Sequence, residues 1–147
     1  MKTTAMFTNN TCCVIKPHIV TAGLAGQVID TILEEGFEIS AMQMFNLDKP
    51  TAEEFFEVYK GVLPEFPSMI EHMTIGPCIV LEVCQENAVR SFRELCGPMD
   101  PEIAKSLRPN TIRARFGHNR TMNAVHCSDL EEDGGLEVEY FISIQQK

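Results

Sequence analysis

His126 is the residue of this chain best placed by its neighbours to do chemistry. It lies in a run where Asn123 and His126 flank an apolar pair and Ser128 and Asp129 follow closely. An imidazole is partly unprotonated near neutral pH and can form a covalent intermediate. It does so best when a carboxylate holds its other ring nitrogen, which Glu137 or Glu139 is near enough in sequence to supply. By itself, a histidine at a strand end is more often only a satisfied hydrogen-bonding group, so the decision rests on what faces it. Lys16, just before a proline, offers a fixed point charge, and Arg93 and Arg113 offer planar cations suited to phosphate.

The charge distribution points to the same ligand class. The chain of 147 residues carries a formal net charge of -9, which disfavours general nucleic-acid binding. Yet the stretch 90–120 holds seven basic side chains against three acidic ones. A local basic segment on an acidic protein suits a confined anion such as a polyphosphate. No Gly-rich phosphate loop of either common pattern occurs, so a nucleotide site must be built from side chains. A nuclease or DNA-binding domain would need a carboxylate metal cluster or a basic face, and neither is legible.

These residues must be positioned by short elements. Thr11 to Ile15 and Cys78 to Cys84 read as strands, the second near-continuously apolar and therefore central. Phe37 to Leu47 and Ala124 to Cys127 read as two more. Ala22 to Glu35 has one apolar helical face and is closed by Gly36. Thr51 with Glu54 and Ser68 with Glu71 are capping-box patterns that predict two further helices. Asn87 to Cys96 reads as helix, and Asp100-Pro101 opens another. Residues 108–123 lack periodicity and read as a structured functional loop. Ser128 and Asp129 can cap one turn, weakened by Gly134 and Gly135, after which Leu136, Val138, Tyr140, Ile142 and Ile144 alternate as if the tail ends extended, with helix as the alternative for its first part. The order β-α-β-α-α-β-α-loop-β predicts an α+β sandwich of ferredoxin-like type, with helices on one face of an antiparallel sheet.

Length fits one domain over residues 1–147, with 1–10 a flexible lead-in. The longest apolar run is too short for a bilayer and no secretion signal is legible, so a cytoplasmic protein with no membrane association is expected. Asn9, Asn10 and Thr11 match a glycosylation sequon by chance on that reading. The six cysteines form no C-x-x-C pair and read as reduced, buried hydrophobes, Cys127 included.

Four segments in one order resemble the nucleoside diphosphate kinase family. They are Val14-Ile15-Lys16-Pro17, Gly76-Pro77, Thr111-Ile112-Arg113, and Asn123 with His126, Ser128 and Asp129. The resemblance runs from Thr11 to about Phe141, and the last segment is the most specific. It implies a four-stranded antiparallel sheet with helices, and transfer of the γ-phosphate of ATP or another nucleoside triphosphate to a diphosphate through a phosphohistidine at His126, with Mg²⁺ carried on the phosphates rather than by protein ligands. Glu137 would orient the ring and Ser128 support it. Lys16, Phe56, Arg93, Arg113 and Asn123 would line the nucleotide site. The family is commonly hexameric, so a homo-oligomer is implied. Details such as Gly97 to Glu102 resemble a divergent two-domain member linked to cilia and microtubules. That implies a cytoskeletal or ciliary partner and location, and a chain that is one part of a longer protein.

Departures from the family pattern are informative. The usual Asp after Lys-Pro is His18, a Tyr of the phosphate site is Phe56, and the base-stacking aromatic falls at Glu65 or Phe66. A phosphate-contacting Thr has become Met99 or Pro98, Arg115 and Arg120 are new charges, and Cys127 replaces a Gly. The segment before Thr111 is about three residues longer than is usual in the family. These changes imply slowed phosphotransfer. The alternative is a catalytically weak nucleotide-binding or scaffold domain.

Overall fold

The computed structural model describes residues 9–145. Most of the expected lead-in therefore lies outside the described residues. Asn10 already belongs to β1 (Asn10–Ile15), and the Asn9 carbonyl accepts the Gln85 N–H at 3.0 Å. The remaining strands are β2 (Glu38–Phe45), β3 (Cys78–Cys84) and β4 (Val125–Cys127), joined antiparallel in the order β2-β3-β1-β4. That is the sheet expected of a ferredoxin-like α+β sandwich.

Helices cover both faces of this sheet, not one. Cys13 and Ile15 turn to a core built with Ile19, Ile32, Phe92 and Ile112, while Cys12 and Val14 turn to a second core built with Phe56, Met69, Ile70 and Phe141. A strand whose successive side chains point to opposite faces can be buried throughout only if both faces are covered. Edge strand β2 alone is largely exposed.

Several helices depart from the local reading. Pro17 ends β1 but also opens α1 (Pro17–Thr21), where its missing N–H costs nothing, and α2 (Ala25–Glu34) follows separately. Gly36 ends it at φ +89°, a conformation that a side chain resists. In α3 (Lys49–Phe55) the cap is Asp48, which accepts from the Thr51 N–H at 2.9 Å, so Thr51 sits inside the first turn; the 3₁₀ turn Glu57–Tyr59 follows. Helix α4 (Phe66–Met73) likewise starts before Ser68, on Pro67. Helices α5 (Ala88–Cys96) and α6 (Pro101–Leu107) agree with expectation, Asp100 capping the latter. The expected loop contains a five-residue helix, α7 (Ile112–Phe116), capped by Thr111. It is too short to show a period.

The largest correction is the C-terminal segment, a continuous helix α8 (Glu131–Gln145) and not an extended tail. Its buried positions are Gly134, Val138 and Phe141, a helical spacing, whereas Leu136 and Ile142 of the alternating set face outward. Glu131, Glu132 and Asp133 occupy its first turn, where the helix dipole favours acids. What Gly134 costs the helix in propensity it returns in packing. A Cβ there would lie 2.8 Å from the Asn10 carbonyl oxygen and 3.0 Å from Val89, so the absent side chain lets α8 lie directly on β1.

This contact makes a paired prediction. Gly135 has only Asn10 Oδ1, at 3.8 Å, near its notional Cβ. Gly135→Ala should stabilise the fold by about 0.5–1 kcal/mol through helix propensity. Gly134→Ala should cost about 1–3 kcal/mol despite the same gain, because the helix is pushed from the sheet. Urea denaturation midpoints of the two variants check it.

Candidate functional site

Strand β4 sets His126 opposite Val14 of β1, and its imidazole packs edge-on against Phe55 and Phe56 with ring centroids 5.3 and 5.2 Å away. Helix α8, seated on β1 through Gly134, turns Glu137 toward it. His126 Nε2 lies 2.8 Å from Glu137 Oε1, and Ser128 Oγ donates to the same oxygen at 2.9 Å. A carboxylate oxygen only accepts, so the ring proton sits on Nε2 and Nδ1 keeps its lone pair. Among the described residues Nδ1 has no hydrogen-bond partner, and it stays open to the cleft that His126 lines. Glu139, the other carboxylate considered, is exposed on the far side of α8.

That cleft has a volume of about 780 Å³ and also gathers Lys16, Arg93, Arg113 and Asn123. Lys16 directly follows β1 and is 5% exposed; its Nζ donates to Asn123 Oδ1 at 2.7 Å and to the Thr121 carbonyl at 3.3 Å. Burial, and then the Arg113 charge, pull its ammonium down to about 7. Arg113, buried on α7, donates to the Gly97 and Val125 carbonyls at 2.9 and 2.8 Å, and its Nε has no partner. Arg93 is less committed, with one bond to the Asp129 carbonyl at 3.2 Å. Among the described residues no carboxylate pairs with Lys16 or Arg113. Two buried cations without a counter-ion form a site prepared for an anion. Phe56 is 1% exposed and serves as a wall behind the imidazole.

Some participants were not legible in the sequence. Tyr59 donates a hydrogen bond to the Asp129 carboxylate, and burial together with that bond raises its phenol far above the usual value. Glu65 and Arg120 form an ion pair at 2.8 Å on the cleft wall, although 55 residues separate them. Glu65, not Phe66, is thus the residue in the cleft; Phe66 is buried in the core. Nothing local marks such a long-range pair. Cys127 is a free, buried thiol as expected, but its environment is polar. A hydrogen bond from Cys96, aided by the Arg113 charge, holds its thiol below the ordinary value. Arg113 Nη2 lies 4.0 Å from its sulfur. Among the described residues no three His, Cys, Asp or Glu side chains converge as a metal cage, and no helix is long and apolar enough to cross a membrane.

Comparison with known proteins agrees with this geometry. The family model described as nucleoside diphosphate kinase matches residues 9–146. The nucleoside diphosphate kinase homolog 7 of Rattus norvegicus is 55% identical over 141 residues, covering 96% of this chain and 36% of that protein. The chain therefore spans about a third of the length of that relative, and likewise of its Mus musculus counterpart, at 54% identity. The nucleoside diphosphate kinase of Aquifex aeolicus is 35% identical over 138 residues, covering 94% of this chain and 96% of that one. A crystal structure of the Aquifex aeolicus enzyme superposes with a TM-score of 0.85 at 34% identity, covering 90% of this chain and 94% of that one. The apo enzyme of Encephalitozoon cuniculi gives 0.83 at 25% identity, covering 91% and 88%.

The depressed Lys16 has a consequence for stability. Unfolded, the amine titrates near 10.5; folded, near 7. Between those values the unfolded chain binds the extra proton, so folding becomes more favourable as pH rises. The wild type should therefore gain stability relative to Lys16→Met as pH is raised from 6 to 10, read as the difference in urea midpoints.

Proposed function

The chain belongs to the nucleoside diphosphate kinase family, and we propose that it moves the γ-phosphate of a nucleoside triphosphate to a nucleoside diphosphate through His126. One observation carries this reading: Nδ1 of His126 is open to a cleft lined by Lys16 and Arg113, which have no carboxylate partner among the described residues, while Glu137 holds the opposite ring nitrogen. In the first half-reaction the Nδ1 lone pair bonds to the γ-phosphorus as the bond from phosphorus to the bridging oxygen breaks, releasing the diphosphate. In the second, a terminal β-phosphate oxygen of the acceptor takes the phosphoryl group and the N–P bond breaks. Glu137 steadies the positive charge that grows on the ring, and Ser128 fixes the carboxylate.

Lys16 and Arg113 face the charge spread over the phosphoryl oxygens, the main work in this chemistry. Arg93, freer, would follow the leaving diphosphate, and Asn123, already bonded to Lys16, would meet the ribose. The donor set fits Mg²⁺ arriving on the nucleotide, since Mg²⁺ favours phosphate and water oxygens over an all-protein cage. When bound it would neutralise β- and γ-oxygen charge. Phe56 brings no hydroxyl and Met99 no hydrogen bond to the phosphates. Each missing bond costs about 1–3 kcal/mol, roughly one to two decades in rate, so turnover is slow.

The Glu65–Arg120 pair favours a second reading, in which the cleft holds nucleotide but turnover serves no purpose and the domain docks on a cytoskeletal partner. Placing charge on the cleft wall opposes a stacked base. Diphosphate binding through the phosphates alone, without label transfer, would select it.

Incubation with γ-labelled ATP and Mg²⁺ tests the first reading. An acid-labile adduct should form on the wild type and be absent from His126→Ala; equal labelling of the two would end the proposal. Protonated Lys16 is the phosphate-binding form, and a bound phosphate raises its affinity for that proton. Diphosphate affinity should therefore fall as pH rises above 7, with proton uptake on binding seen by calorimetry in buffers of different ionisation enthalpy.

A further inference from the structure

His18, in the first turn of α1, is not among the residues assigned to the transfer chemistry, yet it meets the site at its most strained point. Ala124, just before β4, is fully buried with φ +78°, a backbone conformation that alanine avoids. The ladder between β1 and β4 begins only at Val125, so no strand pairs the Ala124 N–H. His18 Nε2 accepts it at 3.0 Å. The other side of the same peptide is held as well, because the Ala124 carbonyl accepts the Lys16 N–H at 3.0 Å. One residue earlier is Asn123, bonded to the Lys16 ammonium, and two residues later is His126.

An imidazole that accepts at Nε2 must be neutral, with its proton on Nδ1. The surroundings enforce that state. The charged or titratable groups around the ring are Lys16 at the end of β1, His118 on the loop before β4, with ring centroids 5.5 Å apart, and His72 on α4. All are basic, and His18 Nδ1 is sealed without a partner. Burial first, and then these neighbours, lower the His18 imidazole to about 4.

We propose that His18 is a positioning residue for the transfer site: its neutral imidazole anchors the left-handed turn at Ala124, which sets Asn123 against Lys16 and delivers His126 to the cleft. This rests on the phosphotransfer reading above. Two variants test it. His18→Leu fills the space without an acceptor, and His18→Gln places an amide oxygen near the position of Nε2 without titrating.

Leaving a buried N–H unpaired corresponds to roughly a 10- to 100-fold loss in the rate of phosphohistidine formation if the turn is needed. His18→Leu should show that loss, with faster hydrogen exchange at the Ala124 amide and unchanged exchange in β3. His18→Gln should stay within about threefold of wild type. The wild type should also lose stability relative to His18→Gln as pH falls from 6.5 toward 4, because the unfolded histidine takes up a proton that the folded one refuses. Rates within twofold for His18→Leu, or equal losses in both variants, would overturn the positioning role alone. A wild type that neither binds nucleotide nor forms the adduct would remove the phosphotransfer reading, and this role with it.

Discussion

The 2.8 Å contact between His126 Nε2 and Glu137 Oε1 is the constraint on which the site depends. It joins a three-residue strand to a helix that begins after it, and it decides which ring nitrogen is left for the cleft. The contact exists only because α8 lies directly on β1, and that approach needs the bare backbone of Gly134 against the Asn10 carbonyl. Packing of helix on sheet and selection of a tautomer are thus one event. A helix displaced by an ångström would leave the ring free to turn, and with it the direction of its lone pair.

The second organising feature is unbalanced positive charge. Lys16 and Arg113 are buried, bonded to carbonyl and amide oxygens, and have no carboxylate against them. A fold that keeps such groups gives up stability that a bound anion would restore. The acceptors that hold them come from the Thr121, Asn123 and Val125 region and from Gly97, so the loop before β4 and the end of α5 are templates for the cations. Cys127 places its thiol beside Arg113, on the opposite side of the strand from the imidazole.

Much of this was legible in the amino-acid order. The strands announced themselves through apolar β-branched runs, and the central place of Cys78 to Cys84 followed from its lack of polar alternation. Asp100-Pro101 opens its helix as its chemistry demands. The failures were of two physical kinds. Local patterns with more than one solution misled: Thr51 and Ser68 resemble caps, but Asp48 and Glu65 hold the cap positions, and the alternation from Leu136 to Ile144 hides the Gly134, Val138 and Phe141 face. Contacts distant in the chain were silent, as with Glu65 and Arg120, Tyr59 and Asp129, and His18 and Ala124.

By itself the sequence determined which chemical groups exist and which family pattern they match. It held an imidazole flanked by Asn123 and Ser128, cations of the kind phosphate favours, and four strands able to carry them, because residue type and short-range periodicity are properties of the chain alone. Only the tertiary structure decided between Glu137 and Glu139, exposed Nδ1 and not Nε2, covered both faces of the sheet, and matched His18 to the Ala124 N–H, which lies outside the strand ladder. Those outcomes depend on which surfaces meet when helices settle on a sheet. That is a matter of volume and approach distance, which no local pattern encodes.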